Sequence, residues 1–391
     1  MASNERENAR KEKKRKAQRR TKIILWAIIL AIAVALVVMK IAELDFAAVK
    51  SRYIDKEGNV SVTASAAYQY SLDSSTNVRM VTENDKLCIL TSVSVTVLNP
   101  TNGTQLYSFN HGYANPIMDT AGNYVCLFDQ GAYRLRLDTL SGAVYETKTD
   151  LPILTAAVSR SGDVIYASRS SDNKSTVFVL DSKLKKRMEL EVNEGYVVSA
   201  AIDPSGKRCA YAVINTENAV LKTTVFTVNV GSSEPVASFD FSGTELLDMH
   251  YCRSDMYLVC ADGVYTVSSQ KKLQQAIGTE EQGVNTVCYT YTPNDEMLYV
   301  YSGYSAANEN CLVHINSSGK EKLSLDLVQK PKAVSAASNE ITVLFPDSVA
   351  VYSLTRGEEK GTYACDDSVS SAVKLSSKVF VCRHQLIDII E

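Results

Sequence analysis

From residue 60 onward the chain alternates short runs of β-branched and aromatic residues with clusters of Gly, Asn, Asp and Ser. Runs of that composition, bounded by turn formers, predict strands. Only 271–276 offers a short helical stretch. The strands fall into a repeat: strand, tight polar turn, strand, loop, strand, second polar turn, strand. The first turn recurs at Asn84-Asp85, Ala121-Gly122-Asn123, Ser161-Gly162-Asp163, Ser205-Gly206-Lys207, Ser254-Asp255, Asn294-Asp295, Ser338-Asn339 and Ser376-Ser377. The strands before it centre on Met80, Met118, Ala156, Ala200, Met249, Cys288, Ser335 and Ala372, a period averaging roughly 42 residues.

Four strands with that period predict a β-propeller blade. One blade has two apolar faces and cannot bury both alone. Blades stacked in a ring cover one another and leave only short outer edges exposed. The last repeat, 368–391, has room for three strands (SSAVKLS, KVFVCRH, QLIDII), and the missing outer strand is available upstream in 60–72 (VSVTASAAYQYSL). The expected fold is therefore all-β, a propeller of eight blades closed by a composite blade (60–72 plus 368–391). Seven blades is the runner-up.

Ahead of the repeat lie seventeen uncharged residues, Ile23 to Met39, flanked by Lys22 and Lys40. At about 1.5 Å per residue they cover most of a bilayer core. Trp26, the single tryptophan, sits near one boundary, where an amphipathic ring is favoured. These features predict a transmembrane helix over 23–42 after a tail at 1–22, with a stalk or linker at 43–59 before the propeller at 60–391. A cleaved signal peptide is the alternative, disfavoured by the long basic region and the want of a clean small-residue cleavage site. The tail holds ten Lys/Arg against three Glu, a charge of +7, so the rest of the chain carries −3 − 7 = −10. That bias places the N-terminus in the cytoplasm and exports the propeller. With no aromatics and no fold of its own, the tail reads as a topology signal touching anionic lipid rather than as a nucleic-acid binder.

Nine cysteines are an odd number for an exported domain. Cys88, Cys126, Cys209, Cys260 and Cys382 lie in apolar runs and read as small buried hydrophobes. Reflection about a Ser254-Asp255 turn sets Cys252 opposite Tyr257, so no bridge to Cys260 is expected.

The segments IDPSGKRCAYAV (202–213) and VSRSGDVIYAS (158–168) resemble the TolB-type, WD40-like repeat. VTVLNPTNGTQLYSF (95–109) and LRLDTLSGAVY (135–145) resemble the quinoprotein-like repeat, with Tyr107 and Tyr145 near the place of its docking tryptophan, which is absent. The layout of tail, helix and propeller is similar to an uncharacterised family of membrane-anchored propellers of Gram-positive anaerobes. The resemblance implies a fold and hardly a function.

Candidate chemistry is sparse. His250 with Cys252, and Cys382 with His384, each place two metal-ligating types on one strand face, but no third partner or four-Cys zinc pattern is present. His111 and His314 complete the histidines. No G-x-S-x-G elbow, P-loop or G-x-G-x-x-G occurs. Asp85, Asp163, Asp255 and Asp295 occupy turn positions where local capping explains them better than calcium. Tyr289, Tyr291, Tyr299, Tyr301 and Tyr304 read as inter-blade packing, with an exposed recognition platform as the sharper option. The inner strands read as small and apolar (ILTAAV, VVSAAI, AVSAAS). No catalytic residue, metal or cofactor is assigned. The expected function is a non-enzymatic binding or scaffold module at the cell envelope, with a protein or glycan partner at the propeller loops. The alternative is a propeller enzyme, quinoprotein-like or otherwise, with charged side chains converging on one mouth of the central channel. A sensor coupled to the short tail is a weaker third.

Overall fold

Strand pairing follows the repeat. A computed structural model describes residues 70–74, 78–170, 175–193, 195–217, 220–269, 272–278, 284–303 and 310–390. The predicted tail (1–22), spanning helix (23–42), linker (43–59) and the start of the first propeller strand lie outside the described residues. Among the described residues no helix is long and apolar enough to cross a membrane.

The described strands form eight four-stranded antiparallel sheets. Blades 1 to 7 occupy 79–110, 116–148, 153–192, 196–242, 246–277, 284–327 and 333–364. Blade 8 is composite. Its strands Val369–Leu375, Lys378–Arg383 and Leu386–Ile390 come from the C-terminus, and the fourth, Tyr70–Ser71, from the N-terminal side. Tyr70 pairs with Ile387 and Ser71 with Leu386. The eight-blade count and the shared closing blade are those the repeat predicts. One element differs: Leu273–Ile277, overlapping the helical stretch expected at 271–276, is the outer strand of blade 5. Pairing with Gly263–Val267 overrides its local preference.

The middle strands show why the ring closes. In Lys86–Leu90 every residue after Lys86 is buried. Leu87 and Ile89 pack toward blade 8, while Cys88 and Leu90 pack toward blade 2. A strand buried on both faces reads as a continuous apolar run. The buried side chains group into eight clusters, one at each blade-to-blade interface, including blade 8 against blade 1. Among the described residues, each blade thus has a buried apolar cluster on both of its faces.

Turn chemistry locks neighbouring blades. Asp203 caps its own turn, its Oδ1 accepting from the Lys207 and Arg208 amides at 2.8 and 3.2 Å. Gly206 in that turn has φ +65°, and a Cβ there would lie 2.1 Å from Asp163 Oδ2 of blade 3. Arg187 ties the pair together, contacting Asp163 Oδ1 and donating to the Gly206 carbonyl at 2.9 Å. Tyr107 of blade 1 docks on blade 2, between Arg136 (3.0 Å) and Asp138 (3.3 Å). Tyr145 packs on the cluster between blades 2 and 3.

All nine cysteines are unpaired, and Cys88, Cys126, Cys209, Cys252, Cys260 and Cys382 are buried. The expected register around Cys252 is corrected. The turn is Arg253-Ser254, so Cys252 faces Asp255, Tyr257 faces His250, and Cys260 faces Leu246. Arg253 takes the left-handed φ of +58° and starts the turn one residue early.

Candidate binding site on the propeller axis

The first strand of each blade is the innermost: Arg79–Glu83, Pro116–Ala121, Ile153–Val158, Tyr196–Ile202, Leu246–Cys252, Val284–Tyr291, Ala333–Ala337 and Val369–Leu375. In a four-strand meander the first-to-second and third-to-fourth turns share one end of the ring, here the turn end. The second-to-third loops and the connections between blades share the other, the loop end.

The expectation of small, apolar inner strands holds for blades 3, 4 and 7. It fails in blades 1, 2 and 5, which place Arg79, Glu83, Asp119, Asp248 and His250 around the axis, in blade 6, which carries Tyr289 and Tyr291, and in blade 8, which carries Lys374. Contacts there cross the ring. Arg160, at the turn of blade 3, donates to the Pro293 carbonyl (2.9 Å) and Asp295 Oδ1 (3.0 Å) of blade 6. His250 Nε2 lies 3.5 Å from the same Asp295 oxygen, and its ring stacks on Tyr291 with centroids 3.8 Å apart. Tyr291 donates to Asp248 Oδ2 at 2.9 Å. Asp119 Oδ2 accepts from the Val158 amide at 2.8 Å, and Arg79 donates to the Met118 carbonyl at 2.8 Å.

Burial in this cluster sets the proton affinities. It pushes Glu83 up to about 7; Arg160 opposes and Asp295 adds to the rise, while the Gly122 backbone and Thr120 hydroxyl pull back. Burial also raises Asp119 and Asp248. For Asp295 burial acts upward, yet His250 and Arg160 outweigh it and hold the carboxyl below its usual range. The cluster thus combines a fixed carboxylate, a guanidinium anchored by it, and a carboxyl that changes charge near neutrality.

The other candidate positions separate. His250 stacks on Tyr291 while Cys252 contacts the Asn294 carbonyl, and Cys382 is buried while His384 is exposed in a turn. Among the described residues no group of three His, Cys, Asp or Glu could hold a metal ion. His111 is fixed by backbone: the Tyr113 amide donates to Nδ1 at 3.0 Å, so Nε2 carries the proton toward the Thr91 carbonyl at 3.1 Å. His314 lies 2.9 Å from Glu296, which also takes Lys322 at 2.7 Å. Of the turn carboxylates only Asp255 caps a backbone amide, that of Ser269; Asp85 accepts from Ser338 and Asp163 pairs with Arg187. Tyr299 is buried, and Tyr289, Tyr291 and Tyr301 pack at the interface between blades 5 and 6; Tyr304 lies outside the described residues.

A model of a family of unknown function, DUF5711, matches residues 59–391. The chain belongs to that family. No curated protein matches it. Among solved structures, this DUF5711 member is similar to the computationally designed Ika8 protein, with a TM-score of 0.56 and 11% identity over 82% of this chain and 98% of that one. Sqt1 from Saccharomyces cerevisiae gives 0.53 and 7% over 83% and 98%. AztD from Citrobacter koseri gives 0.50 and 11% over 73% and 85%. Identities this low tie the DUF5711 chain to these proteins by fold alone.

Proposed function

We propose that this protein is a propeller tethered to the membrane by 23–42, displayed outside the cytoplasm, and working as a non-enzymatic binding or scaffold module at the cell envelope. The uncharged run at 23–39 and the +7 tail support the anchor and its orientation, with anionic lipid as the partner of the tail. A protein or glycan bound at the propeller loops is the second partner; nucleic acid is not one. The observation carrying the binding reading is on the axis. Arg160, His250 and Tyr291 are engaged with Asp295 and Asp248, so this cluster braces the ring and leaves recognition to the surrounding loops. Proximity labelling from the full chain in its native envelope tests the reading. A reproducible neighbour set supports it; random labelling counts against it.

A second reading, an enzyme with its site in the channel, is favoured by one observation. Glu83 sits beside Arg160 with a proton affinity matched to acid–base work near neutral pH. Turnover on a substrate panel that disappears in both E83Q and R160M would establish it over the scaffold.

A further inference from the structure

Exposed large apolar side chains are unevenly placed. Of eleven such residues among those described, Val93, Tyr133, Val198, Val220, Leu221, Leu247 and Val328 lie at the loop end, Leu184 lies at the turn end, and the other three are on outer strands. Four of the seven belong to blades 4 and 5, which adjoin through their inner strands. Val198 and Leu247 are 44% and 41% exposed although they sit on innermost strands. Each is the extra residue of a register shift, between Val197 and Ser199 and between Leu246 and Asp248. A bulge re-aims its side chain. Here each extra residue is the one exposed position of its strand.

Beside them, blade 4 carries a projecting hairpin. Its middle strands, Arg208–Glu217 and Val220–Asn229, pair as far as Glu217 with Val220. The inner strand stops at the pair Tyr196–Ile214, and the outer strand at Lys222–Ser242. Val220 and Leu221 therefore stand beyond the sheet, 50% and 46% exposed. The charge around this patch is acidic. Glu245 and Asp262 border it, Asp262 accepting from the Thr244 hydroxyl at 2.6 Å. The nearby cations are occupied: Lys222 pairs with Asp240, and Arg169 lies over the Tyr196 ring.

We infer that the loop end of blades 4 and 5 is the docking surface of this binding module, and that its occupant is a partner polypeptide segment with apolar side chains flanked by basic ones. The inference rests on the binding-module reading. Val198, Leu247, Val220 and Leu221 supply the apolar contact, and Glu245 and Asp262 select the basic flanks. The test uses the full chain in detergent and a fluorescent peptide alternating leucine with lysine. V198S and L247S are each expected to weaken binding at least about tenfold, whereas L184S at the turn end leaves it unchanged. A peptide with glutamate in place of lysine is expected to bind at least about tenfold more weakly, and added salt to narrow that gap. Circular dichroism of each variant verifies folding. Equal binding by V198S and L247S, or by the glutamate peptide, overturns the inference. So does self-association, or capture of phosphatidylglycerol vesicles, that L247S abolishes, since the patch would then serve a second copy or lipid. Retained proximity-labelling neighbours in L247S would sink this surface while leaving the scaffold reading intact.

Discussion

Replacing Glu83 by glutamine should stabilise the chain at alkaline pH and not at acid pH. Glu83 lies half-buried on the inner strand of blade 1, and burial moves its carboxyl from an ordinary 4.5 to about 7. The folded chain thus holds this proton more tightly than the unfolded chain. Stabilisation from the proton is fully present below 4.5 and lost as pH rises through 7. At about 1.36 kcal/mol per pH unit of difference, the change between pH 5 and pH 8 amounts to about 2.5 kcal/mol. Glutamine keeps the shape and cannot ionise. Urea unfolding of both proteins at pH 5 and pH 8 isolates the effect, because groups they share cancel. The variant should be about equal or slightly weaker at pH 5 and about 2 kcal/mol more stable at pH 8. A gap between the two proteins that stays constant within about 0.5 kcal/mol across those pH values would show that the Glu83 carboxyl is not desolvated as described.

Two further outcomes follow from packing. G206A forces an L residue to φ +65° and drives a methyl onto the Asp163 carboxylate, so it should cost about 2–4 kcal/mol, read from the urea midpoint. I387A removes a fully buried side chain from the closing blade and should cost about 2–5 kcal/mol, with faster proteolysis near Tyr70 as the companion readout.

Much of this fold was legible in the chain because blade grammar is local. Each blade, from Met80 to Ala372, announces itself by short strands joined through a tight polar turn, and the incomplete last repeat calls for a strand from upstream. What failed was either finer than that grammar or longer in range. The turn after Cys252 slipped by one residue because Arg253, not a usual turn former, takes the left-handed conformation. Residues 273–277 carry little strand propensity and are held by the neighbouring strand. The axial cluster was missed for another reason. Arg160 and Asp295 are 135 residues apart, and no periodicity states which turns reach across a ring. The letters RMVTE and LLDMHYC did carry the signal, since a charge on an inner strand has only the axis or a neighbouring blade to face. Three apolar inner strands were generalised to all eight.

The shared blade also dictates the order of events during synthesis. Tyr70–Ser71 leaves the ribosome before any complete blade, yet its partner, Leu386–Ile390, follows every other described strand of the propeller. Throughout translation the growing array therefore presents a bare greasy flank at each end and an early strand with no mate. The ring seals only after Leu386–Ile390 has emerged. Until then it depends on chaperones or on speed to avoid pairing with the wrong neighbour.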